Sequence, residues 1–550
     1  MALTITASGD EADSARMMTG TGERRARDAA IRGVFAIFPG TGAGTGTGFN
    51  PGIVPVNRLC RNVVEIGREV ARERGDMSDE MLNSLRDALG DAGVLTDPER
   101  LATYLVDQRD LVKGRTPAVL RPATTEQVMA IMRLATRHRV GIVPQAGNTS
   151  YCAGATPDRS GTQFVLSLER LDKIRSVDPL DAALSVDSGV ILKHAQEAAE
   201  RAGLFLPLSL GSEGSCRIGG VIGTNAGGLS VLRYGMTRDL VLGLEIVLPD
   251  GTLVSDMKRL RKNNTGYDIR QNFIGAEGTL GVVTGAVLKL IPTPSRRATA
   301  WIELAPDVPL PDMLALVRRE TSELVSSFEF ITARSLALVR DPGGRLKSGS
   351  GGVILIELSS SSRHLPIDEV LEGTMGEVVE KGWAEDIIIA QTEAQRADMW
   401  QIRETIPEGE KRAGGSVKHD ISVPFSRTVD FLKQGGAAVA AYDPRLELSV
   451  YGHVGDGNLH YNIMVPAGEE RLAFTDRIGR ELAPTLYDIA AEMGGTFSAE
   501  HGVGRFKRAL LQHYADPGRY RVLRGIKGLF DPHGVMNPGA MVDPAEGLPS

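Results

Sequence analysis

Cysteine is scarce. Cys60, Cys152 and Cys216 are the three in 550 residues, and no two form a Cys-x-x-Cys pair. A four-thiolate iron–sulfur cluster within the chain is thereby excluded. An odd count in so long a protein argues against a disulfide framework and for a reducing compartment, so the cytoplasm is the expected location. Positive charge is not in excess either: the net charge is -7 and the isoelectric point near 5.8. That speaks against nucleic acid or an anionic membrane as a partner. No run of about 18 apolar residues occurs, so no transmembrane helix is expected. The opening "MALTITASGDEADSARMM" has early acidic residues and no apolar stretch, unlike a secretory signal.

A dinucleotide fingerprint is also missing. "FPGTGAGTGTGF" at 38–49 follows the apolar "VFAIF", but its glycines at 40, 42, 44, 46 and 48 alternate throughout. GxGxxG breaks that alternation after its second glycine. Residues 1–76 therefore read as a low-complexity, mobile extension. Met77, ahead of "SDEMLNSLRDALG", is an alternative start of translation. His-Glu-x-x-His and His-x-x-Glu-His spacings are absent, which counts against a metalloprotease.

What is present is an ordinary globular composition, 42% hydrophobic and 24% charged. The length calls for two or three cores. Over 77–292 helical segments alternate with short β-branched strands. Thr124 or Thr125 caps a helix whose apolar stripe is Val128, Ile131, Met132 and Ala135. "VLGLEIVLPDGTLV" reads as a hairpin around Pro249-Asp250-Gly251, and "LGVVTGAVLKLIPTP" as a strand stopped by prolines. Over 293–550 strands ("WIELA", "GGVILIELSS", "LELSVYGHVGDGNLHYNIMV") mix with helices ("PDMLALVRRETSEL", "RLAFTDRIGRELAPTLYDIAAEMGG"). This predicts an α+β domain with an antiparallel sheet and helices on one face.

Three glycine clusters punctuate the first of these regions: "PQAGNTSYCAGATP" (144–157), "GSEGSCRIGGVIGTNAGG" (211–228) and "FIGAEGTLGVVT" (273–284). Small residues let successive backbone N–H groups converge on an anion such as a pyrophosphate. Interior glycines are costly unless something approaches the backbone closely, so a large flat ligand lying along these loops is one reading. A tightly turned sheet edge is the other.

In "YGHVGDGNLHYN" (451–462), His453 and His460 flank Gly455-Asp456-Gly457, a strong turn signal. The turn brings both imidazoles to one hairpin mouth. "SAEHGVGRFKR" (498–508) offers Glu500 as a third ligand, with His501 beside it. Two histidines and a glutamate suit Zn²⁺ first, with Mn²⁺, Fe²⁺ or Co²⁺ allowed by ligand type. A structural polar cluster, with Asp456 or Asn458 capping the turn, is the alternative.

The glycine clusters together resemble the flavin-binding domain of the vanillyl-alcohol oxidase and para-cresol methylhydroxylase superfamily. The resemblance implies FAD contacts at Gly147, Asn148, Thr149, Ser150, Gly219, Gly220, Asn225, Gly275, Glu277, Gly278, Gly281 and Val283. No histidine lies in 144–157, so the FAD is expected to be non-covalent. "HVGDGNLH", "AEHGVG", "KNNTGYDIRQNFIGAEGTLG" and "FDPHGVMNPG" extend the likeness over about 90–541 to FAD-dependent D-2-hydroxyacid dehydrogenases, in particular their D-2-hydroxyglutarate and D-lactate branches. That family implies a vanillyl-alcohol-oxidase-type FAD-binding domain over 77–292 and a substrate domain over 293–550, whose segment 505–541 packs back near the flavin. It implies His453, His460 and Glu500 as metal ligands and His501 as the base. In "MWQIRETIPEGEKRAGGSVKHDISVP" it implies Arg403 and Lys418 on the substrate carboxylate, with Asn462 as a further substrate contact. His419 reads as structural. The chain departs at Pro407, where hydroxyglutarate enzymes carry a hydroxyl residue, and at Ala540, where a lysine is usual. The first departure counts against hydroxyglutarate.

The chemistry implied is oxidation of a small D-2-hydroxy acid (lactate, malate or 2-hydroxyglutarate type) to the 2-oxo acid. His501 takes the hydroxyl proton and flavin N5 the hydride. The electrons then pass to a separate acceptor, electron-transfer flavoprotein or a quinone-linked partner. A homodimer is an option the sequence leaves open. The rival readings are an alkylglycerone-phosphate-synthase-like transferase, a non-redox metal hydrolase and a non-catalytic flavin-binding subunit.

Overall fold

The computed structural model describes residues 80–339 and 344–545. The expectations for residues 1–76, for Cys60 and for a start at Met77 lie outside them. Two sheets of four or more strands are built up to residue 292, beside a two-stranded pairing of Leu204–Phe205 with Ile291–Pro292. The first takes β1 (Val94–Leu95), β2 (Val119–Leu120), β3 (Ile142–Gln145) and β4 (Phe164–Ser167), in the order β1-β2-β4-β3. Strands β2, β4 and β3 run parallel. Helix α1 (Thr125–His138) crosses from β2 to β3; its N-cap Thr124 accepts from the Gln127 N–H, and Val128, Ile131, Met132 and Ala135 are buried. The second sheet is antiparallel: β5 (Ile174–Asp178), β6 (Ala183–Asp187), β7 (Val241–Val247), β8 (Leu253–Asp256) and β9 (Val282–Lys289), in the order β5-β6-β9-β7-β8. The expected hairpin at Pro249-Asp250-Gly251 joins β7 to β8. Helix α2 (Ile218–Thr224) packs against β9.

Beyond residue 292 one eight-stranded antiparallel sheet dominates. Its strands are β10 (Arg296–Leu304), β11 (Val325–Ile331), β12 (Val353–Ser360), β13 (Ala384–Ile389), β14 (Ser416–Val417), β15 (Asp420–Ser422), β16 (Leu448–Gly452) and β17 (Asn458–Met464). The order is β13-β10-β12-β11-β16-β17-β14, with β15 also on β17. Side chains alternate between two cores, as the pleat requires. On β12, Ile354, Ile356 and Leu358 face α3 (Leu310–Glu320), α4 (Ile367–Glu380), α6 (Thr428–Tyr442), α7 (Arg471–Glu481) and α8 (Ala483–Glu492). Val353 and Leu355 face the other way, with Trp301, onto Met399, Trp400, Ile402 and Ile406 of α5 (Glu393–Arg412). Each such aliphatic side chain contributes about 1.5–3 kcal/mol through burial.

Two expectations are corrected here. Helices cover both faces of this sheet, because α5 carries its own apolar stripe. And the stretch 471–495 is two helices: Pro484, in the first turn of α8, lacks the N–H that would continue α7.

The chain then returns to the first sheet. Ile142 forms a parallel bridge with Met536. The Asn537 amide donates to the carbonyls of Gly154 (2.8 Å) and Glu277 (3.0 Å). Lys527 of α9 (Pro517–Phe530) is 2% exposed and donates to Thr279 O, Met536 O and Asp531 Oδ2. The region after residue 292 is also stitched to the earlier one by Arg233 on Ser359 Oγ (2.7 Å) and by Ser327 Oγ on Leu229 O (2.7 Å).

Candidate active site

A cleft of about 790 Å³ runs between the glycine loops and the eight-stranded sheet. Its volume suits a cofactor-sized ligand. Gly147, Asn148, Thr149 and Ser150 line it, as do Gly219, Gly220, Glu277, Gly278, Gly281 and Val283. The glycine at 147 is obligatory: a Cβ there would stand 2.6 Å from Ser215 O and 2.8 Å from Cys216 Cα. At Gly219 it would stand 2.8 Å from Ser188 Cβ. Asn148 adopts φ 53° and ties the loop down by donating its amide to Val106 O (3.0 Å). Asn225 and Gly275 lie behind the wall. Asn225 ends α2 in the left-handed region and accepts from the Arg238 N–H (2.9 Å), while the Gly275 N–H donates to Ile222 O.

At the sheet end of the cleft the β16–β17 hairpin does what its sequence predicts. A short 3-10 turn over Val454–Asp456 reverses the chain, with Gly457 at φ 83°. His460 faces Tyr451 across the ladder, and Asn462, two residues on, shares its face. The rings of His453 and His460 are 5.6 Å apart. Glu500 closes the set: its Oε2 lies 3.8 Å from His453 Nε2. One ligand atom from each of His453, His460 and Glu500 lies within 4.8 Å of the others. His501 is adjacent, its ring stacked 6.1 Å from His460 and 4.7 Å from Tyr151.

Residues not picked out from the sequence hold this arrangement. Glu329, in the middle of β11, is 1% exposed. Its Oε1 accepts from His453 Nδ1 (2.7 Å) and its Oε2 from Arg403 Nε (2.8 Å). Arg403 is itself buried and lies over the Tyr451 ring. Asp420 Oδ2 accepts the backbone N–H of Glu500 (2.9 Å) and of His501 (2.8 Å), and lies 3.6 Å from His501 Nδ1. Glu277, which the resemblance marks as a FAD contact, lines the cleft and turns its carboxylate away to accept the N–H of Val503 and of Gly504, both at 2.7 Å. Glu410, 1% exposed, takes Lys418 Nζ (2.8 Å) and the Asn462 amide (2.9 Å). The signal available in sequence was an acid in an otherwise apolar strand, "FEF", and one beside a histidine, "KHD".

Burial sets the titration. It pushes His501 down to about 4, against the pull of Asp420, so the imidazole is neutral at pH 7. It also lowers His460, with the charge of His453 adding. Burial lowers His453 too, but the carboxylates of Glu329 and Glu500 outweigh it and hold the imidazole at about 9. Burial would raise Glu329, yet His453 and Arg403 carry it down to about 2. Glu500 is raised by burial, with His453 opposing. His419, read as structural, is buried, and its Nδ1 donates to Tyr461 O (3.0 Å).

The donor set fits a divalent cation. Two imidazoles and a carboxylate converge, and Glu329 takes the Nδ1–H of His453, so that Nε2 is the nitrogen a cation would reach in exchange for its proton. Gly147, Gly219 and Gly278 are glycines because the protein packs against their Cα atoms, and their bare backbone lines the cleft, open to a cofactor-sized ligand.

The chain is similar to known flavoproteins in sequence and in fold. The FAD binding domain family matches residues 116–256, and the C-terminal domain family of FAD-linked oxidases matches 310–541. The chain is 36% identical over 452 residues to mitochondrial D-2-hydroxyglutarate dehydrogenase of Bos taurus, covering 82% of this chain and 81% of that one. It is 34% identical over 463 residues to D-2-hydroxyglutarate dehydrogenase of Stutzerimonas stutzeri, covering 84% and 98%. A putative mitochondrial D-lactate dehydrogenase of Schizosaccharomyces pombe is 32% identical over 455 residues, covering 80% and 85%. Among solved structures, p-cresol methylhydroxylase superposes with TM-score 0.67 at 17% identity, over 85% of this chain and 97% of that one. Alkyldihydroxyacetonephosphate synthase superposes with TM-score 0.65 at 16% identity, over 84% of both. At these identities the structural likeness shows the fold alone, a vanillyl-alcohol-oxidase-type FAD-binding fold.

Proposed function

The chain belongs to the D-2-hydroxyglutarate dehydrogenase family of FAD-linked oxidoreductases acting on CH–OH groups, and from that premise we propose that it oxidises a small D-2-hydroxy acid to the 2-oxo acid with the help of a divalent metal, Zn²⁺ first. The observation that carries this is the convergence of His453, His460 and Glu500, with His501 beside them, at one end of the glycine-walled cleft. FAD held non-covalently along the glycine loops would supply a hydride acceptor at N5, and a cation held by His453, His460 and Glu500 would supply the charge that lowers a hydroxyl pKa.

The chain's own residues do the rest. His453 through Nε2, His460 and Glu500 would hold the cation. Arg403 keeps Nε on Glu329, which leaves its two terminal nitrogens for a carboxylate. Lys418 adds a point charge and Asn462 an amide. His501 has Nδ1 turned to Asp420, so Nε2 is the free base that receives the hydroxyl proton. Tyr151 and Tyr451 wall the space.

The electrons leave to a separate acceptor, electron-transfer flavoprotein or a quinone-linked partner. Among the described residues no helix is long and apolar enough to cross a membrane. The cytoplasm is the compartment we propose, although the bovine relative is named as mitochondrial. The test is anaerobic: the yellow holoenzyme should bleach with one of D-lactate, D-malate or D-2-hydroxyglutarate and not with the L enantiomers. Flavin that no D-2-hydroxy acid reduces would overturn the reading.

A further inference from the structure

Resting on that function, we propose that Glu410 sets the substrate class: the site takes 2-hydroxy acids with one carboxylate and an uncharged side chain, and turns away dicarboxylates. The two side-chain cations at the sheet end of the cleft each own a buried acid. Arg403 is paired with Glu329 at 2.8 Å, and Lys418 with Glu410 at 2.8 Å. Both acids are buried, although the Lys418 side chain is 25% exposed. Against two buried carboxylates and the substrate's own first carboxylate, the two cations leave no positive charge over for a second one. Glu410 also orients Asn462. By accepting from the amide nitrogen it leaves Oδ1, which has no partner among the described residues, as the atom left to a ligand. An oxygen acceptor suits a hydroxyl donor and repels a carboxylate.

The rim repeats this sign. Glu404 and Glu408, one turn apart on α5, line the cleft, and Glu213 lines it from the second glycine cluster. Burial raises the Glu404 carboxyl, and the charge of Glu213 raises it further. A distal carboxylate would therefore meet acids and an amide oxygen.

The experiment compares wild-type holoenzyme with Glu410→Gln, a near-isosteric change that removes the charge and one of the two acceptor oxygens that hold Ser416, Lys418 and Asn462. Oxidised enzyme is titrated with pyruvate, 2-oxobutyrate and 2-oxoglutarate, following the flavin absorbance, and kcat and KM are measured for the matching D-2-hydroxy acids. Wild type should favour the monocarboxylates by about tenfold or more, and Glu410→Gln should close most of that gap through the Kd and KM of the dicarboxylate. A wild type that prefers 2-oxoglutarate and D-2-hydroxyglutarate overturns the proposal while leaving the oxidation reading intact. A Glu410→Gln enzyme with the wild-type ratio overturns the role of Glu410. The binding arm needs no turnover, so it decides the charge argument even where no hydroxy acid reduces the flavin. Should Glu410→Gln fail to fold, the wild-type ratio decides alone.

Discussion

The Nδ1 of His453 donates to Oε1 of Glu329 across 2.7 Å, from a hairpin turn to the middle of a strand 124 residues away in sequence. That bond fixes which imidazole nitrogen faces the cleft. Replacing Glu329 by Gln keeps the shape and removes the charge. Metal affinity should fall about 10–100-fold. Metal content after dialysis against a graded chelator measures it, and a wild-type profile would deprive Glu329 of this role.

His501→Ala should retain the flavin spectrum, because the side chain lies at the sheet end and not among the glycine loops. The rate of anaerobic flavin reduction by substrate should drop about a hundred- to ten-thousand-fold. Stopped-flow absorbance gives that rate directly. Reduction at the wild-type rate would assign the base elsewhere.

Glu277→Ala strips two backbone N–H groups, Val503 and Gly504, of their acceptor. An unsatisfied buried donor costs about 1–3 kcal/mol. The segment that carries Glu500 and His501 should loosen, so the variant should melt earlier and show faster hydrogen exchange over 500–504. A melting curve that overlays wild type would show that the clamp is dispensable.

His419 makes stability depend on acid. In the unfolded chain an imidazole binds a proton below about pH 6.5. In the fold burial holds it neutral down to about 4. Between those values the unfolded state carries the extra proton, so stability falls as the pH drops through this window, by about 3 kcal/mol in total. His419→Asn, which can still donate to Tyr461 O, should flatten that part of the profile in urea titrations at pH 7, 5.5 and 4.5.

Asp531 accepts from Lys527 Nζ and from the backbone of Val535 and Met536, all buried. Asp531→Ala leaves an ammonium 2% exposed without its counter-charge. The loss should be about 3–5 kcal/mol, read from chemical denaturation.

Much of the site was legible because its signals are local. Asp-Gly in a run of alternating residues specifies a hairpin, so the approach of His453 and His460 needed no tertiary knowledge. The cap at Thr124 and the buried stripe after it were legible for the same reason. Glu329 and Asp420 were not. Each sits in a strand whose neighbours pack normally, and each is explained only by partners from remote segments. The acid at 410 was hidden too, because a glutamate near the end of a helix of mixed charge reads as solvated. Asn225 and Gly275 do not line the cleft; their backbone geometry serves the wall behind it. The break at Pro484 was present in the sequence but outweighed by a continuous apolar period.

The bridge from Met536 to Ile142 has a consequence for how the protein is made. A ribosome releases the strands of the first sheet hundreds of residues before the segment that closes its edge. Until that segment emerges, Lys527 cannot reach Thr279, and Asn537 cannot hold the loop at Gly154 against Glu277. The cofactor pocket is thus finished last, from the far end of the chain, and a nascent protein stalled short of Met536 should be unable to retain its flavin.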